Sequence, residues 1–300
     1  MYETYYGFHE KPFSLLPDPG FLFLSSKHRQ ALSMLEYGMM NQAGFTVITG
    51  EIGAGKTTLI RKLLAQLELD LDITVGLVSN THQSFGELMQ WVMLAFDLNY
   101  SGKSKVELYQ GLAEFIAAEY GKGRRTVLII DEAQNLSTEA LEELRMLANI
   151  NADKDQVLQL VLVGQPGLRD MLRRPELEQF AQRIAIDYHL DTLDIKGTCE
   201  YIRHRLVVAG GAPDLFEAAA CVAVYYYTKG TPRLINVLCD TALVCGFAEQ
   251  RECIDADLIH DVVRDKSVGG ILPVSAGPEA QDEVVFDFHE VKKNTQKASE

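Results

Sequence analysis

This chain predicts a parallel α/β fold built around a phosphate-binding loop, and three observations carry that expectation. The first is Phe45-Thr46-Val47-Ile48-Thr49, an apolar run that enters Gly50-Glu51-Ile52-Gly53-Ala54-Gly55-Lys56-Thr57 and leaves through Thr58-Leu59-Ile60-Arg61-Lys62-Leu63-Leu64. That is strand, glycine-rich loop and helix, and the loop spells G-x-x-x-x-G-K-[ST]. The second is Arg124-Arg125-Thr126-Val127-Leu128-Ile129-Ile130-Asp131-Glu132, a continuous apolar run closed by two acids. Such a run suits a strand buried on both faces of a parallel sheet. The third is the regular alternation of strand and helix patterns up to about residue 192, followed by helical periodicity alone.

The elements follow in order. Residues 1–30 are aromatic and punctuated by proline, and Ser25 or Ser26 can cap a helix from about Lys27 to Gln42, with Ala31, Leu32, Leu35 and Met39 on one face. After the phosphate-loop helix, Ile73–Val78 reads as a strand, then helices are expected near Ser84–Phe96 and Lys105–Tyr120. The Asp131 strand precedes a helix over Thr138–Asn149 capped by Ser137, with Glu139 adding negative charge to its first turn. Val157–Gly164 and Ile184–Leu190 read as further strands, with short helices near Gly167–Leu172 and Leu177–Arg183 between them. Helices are expected at about 195–209, 214–228, 232–250 and 255–265, which makes a separate helical subdomain. The organisation expected is therefore an N-terminal segment over 1–39, an α/β core over 40–192, a helical lid over 194–265 and a largely disordered tail over 266–300. Within that tail Val284–His289 is a candidate docking segment.

Composition narrows the function classes. The 300 residues carry a formal net charge of −14, which argues against broad, sequence-independent DNA binding by a monomer. A basic cluster of Lys103, Lys105, Lys122, Arg124 and Arg125 is read first as a solvated loop and strand entry. Tyr225-Tyr226-Tyr227 at helical spacing face different ways, so they read as part core and part surface. No apolar stretch is long enough for a bilayer span, and the start lacks the basic and apolar regions of a signal peptide. The expectation is a cytoplasmic chain without direct membrane insertion. The five cysteines show no C-x-x-C spacing and are expected to be buried free thiols on apolar helical faces.

The chemistry is concentrated in the two motifs. Glycines let the loop curl so that backbone N–H groups from Gly50 through Glu51, Ile52, Gly53, Ala54, Gly55, Lys56, Thr57 and Thr58 point at phosphate oxygens, with the helix N-terminus behind them. Lys56 can reach the β- and γ-phosphates, and the Thr57 hydroxyl can ligate Mg²⁺. In a parallel sheet ligands sit at the carboxyl ends of the strands, where Asp131 and Glu132 fall. Asp131 can hold Mg²⁺ through its water shell, and Glu132 can polarise the water that attacks the γ-phosphorus. The cofactors expected are ATP and Mg²⁺.

Several further segments join these motifs: Tyr6-Gly7-Phe8, Lys11-Pro12-Phe13, Pro17-Asp18-Pro19, Phe21-Leu22-Phe23-Leu24-Ser25, Ile130-Asp131-Glu132-Ala133-Gln134-Asn135-Leu136, Leu141-Glu142-Glu143-Leu144-Arg145, Val163-Gly164-Gln165-Pro166 and Gly230-Thr231-Pro232-Arg233-Leu234-Ile235-Asn236. Together they resemble the general-secretion-pathway A (ExeA-type) AAA+ ATPases over about residues 1–265. The likeness is greatest to the short members associated with exosortase, exopolysaccharide or type IV pilus systems. The resemblance implies a P-loop NTPase αβα sandwich of AAA+ type with a C-terminal all-helical lid. It implies Gln165 as a sensor-1 amide, Arg183 as an arginine finger reaching a neighbour's nucleotide (with Arg169, Arg173 and Arg174 as competitors) and Arg233 as a sensor-2 arginine clamping the γ-phosphate. It also implies that the N-terminal segment wraps the base, with Phe13, Leu16, Pro17 and His28 as candidates. The function it implies is a Mg²⁺-dependent ATPase, a homo-oligomer, coupling hydrolysis to assembly or export of envelope material at the inner membrane with an envelope-assembly protein partner. The alternatives are a DNA-associated regulator of the transposition target-selection type and a non-hydrolysing scaffold; an intact Glu132 argues against the last.

Overall fold

The computed structural model describes residues 1–16, 18–67, 72–79, 87–150 and 156–269. Five parallel strands, β1 (Phe45–Gly50), β2 (Ile73–Val78), β3 (Arg125–Ile130), β4 (Leu158–Gly164) and β5 (Ile184–Leu190), lie in the order β2-β3-β4-β1-β5. β4 runs between β3 and β1, with Ile130 opposite Leu162 on one side and Thr49 opposite Gly164 on the other. The carboxyl ends of β1, β4 and β3 are therefore neighbours, and they carry Gly50, Gly164 and Ile130 to one rim of the sheet.

Every residue of β1 and β4 is buried, Thr46, Thr49 and Gln159 included, as inner strands are when helices cover both faces. Strand alternation splits the side chains between two cores. Leu128, Ile130, Leu160 and Leu162 pack with α4 (Leu88–Ala95), α5 (Lys105–Gly121), α6 (Thr138–Leu147), α7 (Pro166–Leu172) and α8 (Glu178–Ala181). Val127, Ile129, Val161 and Val163 pack on the opposite face with α2 (Ser26–Met40) and α3 (Lys56–Leu67). Ser25 is the cap of α2, its hydroxyl accepting from the His28 N–H, and Ser137 caps α6 in the same way through Ala140.

A second body follows: α9 (Ile195–Val208), α10 (Ala218–Thr228), α11 (Pro232–Ala248) and α12 (Ala256–Gly269). Its core includes Tyr2, Phe8, Phe13 and Phe21 from the chain's start. Each of these aromatic side chains contributes roughly 1.5–3 kcal/mol on burial. A short helix, α1 (Tyr2–Tyr6), is held there by Tyr2 Oη donating to Asp240 Oδ1 at 2.5 Å and Tyr6 Oη donating to the Arg251 carbonyl at 3.1 Å. The N-terminal segment thus packs into the helical body before α2 lies on the sheet, and residues 24–25 join the two.

Three expectations change. The segment before α10 is extended rather than helical, because Phe216 bridges Ile254, with Ile254 N–H donating to Leu215 and Glu217 N–H to Ile254. Cys253 is exposed, in the loop ahead of α12 where only Ile254 turns inward, while Cys199 and Cys245 are half-buried; Cys221 and Cys239 are buried thiols as expected. α12 runs to Gly269, past residue 265, since no helix breaker intervenes. The rest of the tail, with Val284–His289, lies outside the described residues, as do Pro17 and the start of the helix expected from Ser84.

The basic cluster is largely spent on internal contacts. Glu119, near the end of α5, accepts from Lys122 Nζ at 2.6 Å, Thr74 Oγ1 at 2.6 Å and Arg124 Nη1 at 3.3 Å. Lys105 pairs with Glu143, and Arg125 donates to the Met39 carbonyl. The Lys122 and Thr74 hydrogen bonds pull the Glu119 carboxyl down to about 2. A depressed carboxylate contributes stability above its unfolded range near pH 4.5, and that stability is lost as pH falls toward 2. Glu119→Gln is therefore expected to cost about 1 kcal/mol at pH 7, kept modest because Lys122 and Arg124 are half exposed. It should also flatten the decline in stability between those pH values. Urea melts at pH 7, 4.5 and 3 check it; an unchanged acid limb would contradict it.

Candidate functional site

The phosphate loop leaves β1 and enters α3 at the rim where β3 and β4 end. Two of its glycines adopt backbone angles that L side chains rarely take: Gly53 at φ +79° and Gly55 at φ +102°. Each is also crowded. A Cβ on Gly53 would meet Cβ of Arg233 at 2.7 Å, and one on Gly55 would meet His28 Nε2 at 2.6 Å. The loop is thus sandwiched between the start of α11 in the lid and the start of α2.

His28 explains much of the loop's shape. Its Nε2 lies 3.1 Å from the Ala54 carbonyl and its Nδ1 lies 2.7 Å from Ser25 Oγ. A carbonyl can only accept, so Nε2 carries the proton and Nδ1 accepts from the serine. Burial holds the imidazole below its ordinary range, which keeps it neutral. His28 therefore supports the phosphate loop from beneath. It also lines the neighbouring cleft, where the family resemblance makes it one candidate for the base.

Lys56 is 6% exposed and donates to the carbonyls of Gly50 at 2.7 Å and Glu51 at 2.9 Å. Its charge rests on the loop's own oxygens. Burial lowers its pKa, against the pull of Glu132, Asp131 and Glu51. Thr57 Oγ1 faces Asp131 Oδ2 at 3.4 Å. Burial pushes the Asp131 carboxyl up, while the Glu132 N–H at 2.9 Å draws it down. Glu132 itself sits in the left-handed region at φ 53°, which swings its carboxylate out at the strand end. There Oε2 accepts from Gln134 Nε2 at 2.5 Å and from Gln165 Nε2 at 3.2 Å.

A cleft of about 480 Å³ opens above these groups. Lys56, Thr57, Glu132 and Gln165 line it from the core, and Arg233 lines it from the lid. Leu15, Leu16 and Ile52, which are 55%, 79% and 62% exposed, give the mouth apolar walls. Phe13, by contrast, is fully buried in the lid core and packs edge-on against Phe216. Arg183 does not line the cleft. It is exposed ahead of β5 and donates to the Arg145 carbonyl at 3.3 Å and Asn149 Oδ1 at 2.6 Å. Of its competitors, Arg173 and Arg174 are exposed, while Arg169 is half-buried with Nε unpartnered among the described residues. Tyr227 turns inward to His260 Nδ1 at 2.6 Å, with Tyr225 and Tyr226 half exposed.

The donors offered by Thr57 and Asp131 are oxygens, the set that a hard divalent cation takes. Among the described residues no group of three or more His, Cys, Asp and Glu could hold a metal alone. The two side chains therefore fit a Mg²⁺ that arrives with phosphate oxygens.

The arrangement of strand, loop and acids has counterparts. The description of AAA domains matches residues 39–172. These residues form an AAA domain. The chain is also related to general secretion pathway protein A of Aeromonas hydrophila, 39% identical over 249 residues, which is 83% of this chain and 45% of that protein. It thus spans less than half the length of that relative. Among solved structures, the AAA domain and lid together resemble Cdc6p of Pyrobaculum aerophilum (TM-score 0.63, 15% identity, 85% of this chain and 70% of that one). They also resemble the ORC2 protein of Aeropyrum pernix in ADPNP–ADP complexes (TM-score 0.62, 17% identity, 86% and 72%). The RuvB Holliday junction branch migration motor of Thermotoga maritima follows at TM-score 0.52 and 20% identity over 81% of this chain and 70% of its own. At these identities the likeness is one of fold: a P-loop AAA-type α/β domain with a helical lid.

Sequence reasoning missed a buried cation beside the cleft. Arg205 of α9 donates to the Pro12 carbonyl at 2.5 Å and the Ser14 carbonyl at 3.1 Å, and lies 4.4 Å over the Phe21 ring. Asn236 of α11 accepts from Tyr201 Oη at 2.8 Å and reaches the same Ser14 carbonyl. These lid residues fix the strap of chain that walls the cleft. The signal available was Tyr201 and Arg205, an i, i+4 pair on the inner face of a helix.

Proposed function

We propose that this chain binds ATP with Mg²⁺ in the cleft between the AAA domain and the lid and hydrolyses it. The cycle of binding and hydrolysis drives a partner in the assembly or export of envelope material. The observation that carries this reading is the convergence of Lys56, Thr57, Glu132, Gln165 and Arg233, four from the core and one from the lid, on one cleft. In this reading the loop N–H groups from Gly50 to Thr58 and Lys56 hold the phosphates. Thr57 and Asp131 hold Mg²⁺, which supplies charge neutralisation to the phosphates. Glu132 takes the proton from the attacking water, Gln165 orients that water or the γ-phosphate, and Arg233 draws the lid onto the γ-phosphate. The base sits against the apolar mouth formed by Leu15, Leu16 and Ile52.

Loss of the γ-phosphate removes one tie between lid and core, so the lid shifts. The N-terminal segment moves with it, because its aromatic side chains lie in the lid core. The likeness to a secretion-pathway protein supports an envelope partner, with the chain acting as a homo-oligomer on the cytoplasmic side, peripheral to the inner membrane. Among the described residues no helix is long and apolar enough to cross a membrane. The net charge of −14, and the internal pairing of Lys105, Lys122 and Arg124, count against the DNA-associated alternative.

Glu132→Gln tests the reading. It is expected to bind ATP with near wild-type affinity and to hydrolyse it roughly 10²–10⁴-fold more slowly, because an amide keeps the shape but cannot take a proton. Size-exclusion chromatography should find the variant trapped in its ATP-bound assembly. Turnover equal to wild type would remove Glu132 from the mechanism.

A further inference from the structure

We infer that Gln134 is a positioning residue: its amide locks the Glu132 carboxylate to the end of β4, and it thereby sets how fast the bound nucleotide is cleaved. This rests on the reading of Glu132 as the base.

The hydrogen bonds leave the Gln134 amide one orientation. Its Oε1 accepts from the backbone N–H of Gln165 at 2.9 Å, and a backbone N–H can only donate. Oε1 must therefore face β4, which turns the NH₂ toward Glu132 Oε2 at 2.5 Å. The side chain spans the gap between the two strand ends like a tie. The backbone leaves room for it: a Cβ on Gly164 would stand 2.9 Å from Gln134 Oε1. Any larger residue at 164 would push the tie away, so Asp131-Glu132-Ala133-Gln134 and Val163-Gly164-Gln165-Pro166 interlock as one device.

Gln165 supplies the second amide to the same carboxylate oxygen, at 3.2 Å. Two amide donors thus converge on one carboxylate oxygen. A γ-phosphate that attracts the Gln165 side chain removes one donor and leaves Gln134 holding Glu132 in place. Gln134 touches neither phosphate nor water in this scheme; it acts through Glu132. The backbone conformation of Glu132, at φ 53°, is consistent with a side chain whose direction is fixed from outside.

The test is a double-mutant cycle in the full chain, with Mg-ATP turnover and affinity for a fluorescent ATP analogue read on wild type, Gln134→Ala, Gln134→Glu, Glu132→Gln and the double variant Glu132→Gln/Gln134→Ala. Gln134→Ala is expected to lower kcat about 10- to 100-fold while affinity stays within about threefold, a part of what a general base contributes. Gln134→Glu preserves size and the acceptor to Gln165 but sets a like charge beside Glu132. It should lower kcat with affinity little changed, since like-charge repulsion drives the Glu132 carboxylate from its place at the end of β4. In the Glu132→Gln background Gln134→Ala should cost no more than about twofold, because a residue acting through Glu132 has nothing left to position. Wild-type turnover in Gln134→Ala, or the same fold-loss with and without Glu132, would overturn the role of Gln134. Wild-type turnover in Glu132→Gln alone would instead overturn the reading of Glu132 on which it rests.

Discussion

Arg183→Ala is expected to bind ATP as wild type does and to lose hydrolysis by roughly 10³-fold or more, the scale of an arginine supplied in trans in phosphoryl transfer. Arg183 does not line its own subunit's cleft; it stands exposed ahead of β5, held by Asn149 and the Arg145 carbonyl at the end of α6. Both partners are neutral acceptors, and among the described residues no acid pairs with its charge. The decisive form of the experiment mixes Arg183→Ala with Lys56→Ala subunits. Each is expected to be inactive alone. At a shared interface the first brings a sound phosphate loop and the second a sound arginine, so partial recovery of turnover is the expected result. No recovery, with mixed oligomers demonstrated, would assign Arg183 to structure and move attention to Arg169, Arg173 or Arg174.

Lys56→Ala is expected to weaken ATP binding by about 10²-fold or more. In the free protein the ammonium is satisfied by two loop carbonyls, at 2.7 and 2.9 Å. The ammonium has three donors, so a phosphate oxygen can take the third or displace a carbonyl, and a hydrogen bond to a charged group is worth roughly 1.5–3 kcal/mol. The variant has no cation within the loop itself to offer. The lost carbonyl contacts lie at the rim of the cleft, so folding should survive. Titration with a fluorescent ATP analogue, beside a thermal melt, checks both halves; near wild-type affinity in a folded variant would contradict the assignment of the phosphate loop.

The inner strands could be read from the sequence because they are buried on both faces and therefore carry apolar runs, as in Val127–Ile130 and Leu160–Val163. The phosphate loop was legible for a different reason: its chemistry fixes residue types at short spacing. What stayed hidden depends on contacts between distant parts of the chain. Tyr2 meets Asp240, and Arg205 meets Pro12, and nothing local in either segment announces its partner. A five-residue helix such as α1 has too few turns to be specified by its own propensities and exists through that packing. His28 was offered as a candidate for the nucleotide's base only through the family resemblance, and sequence alone could not tell that Ser25 and the Ala54 carbonyl would hold its ring against the loop. Gln134 stood in plain sight within Asp131-Glu132-Ala133-Gln134, yet its role depends on Gly164 and Gln165 arriving from a strand whose pairing had to be known first.

Phosphate release from ATP by the purified chain in Mg²⁺, wild type beside Lys56→Ala, measures most directly what the cleft does. Steady turnover by wild type, and its loss in a Lys56→Ala protein that melts at a similar temperature, is the result expected of an ATP hydrolase built on these residues. No phosphate release from a folded, oligomeric wild type, or equal release from both, would contradict it.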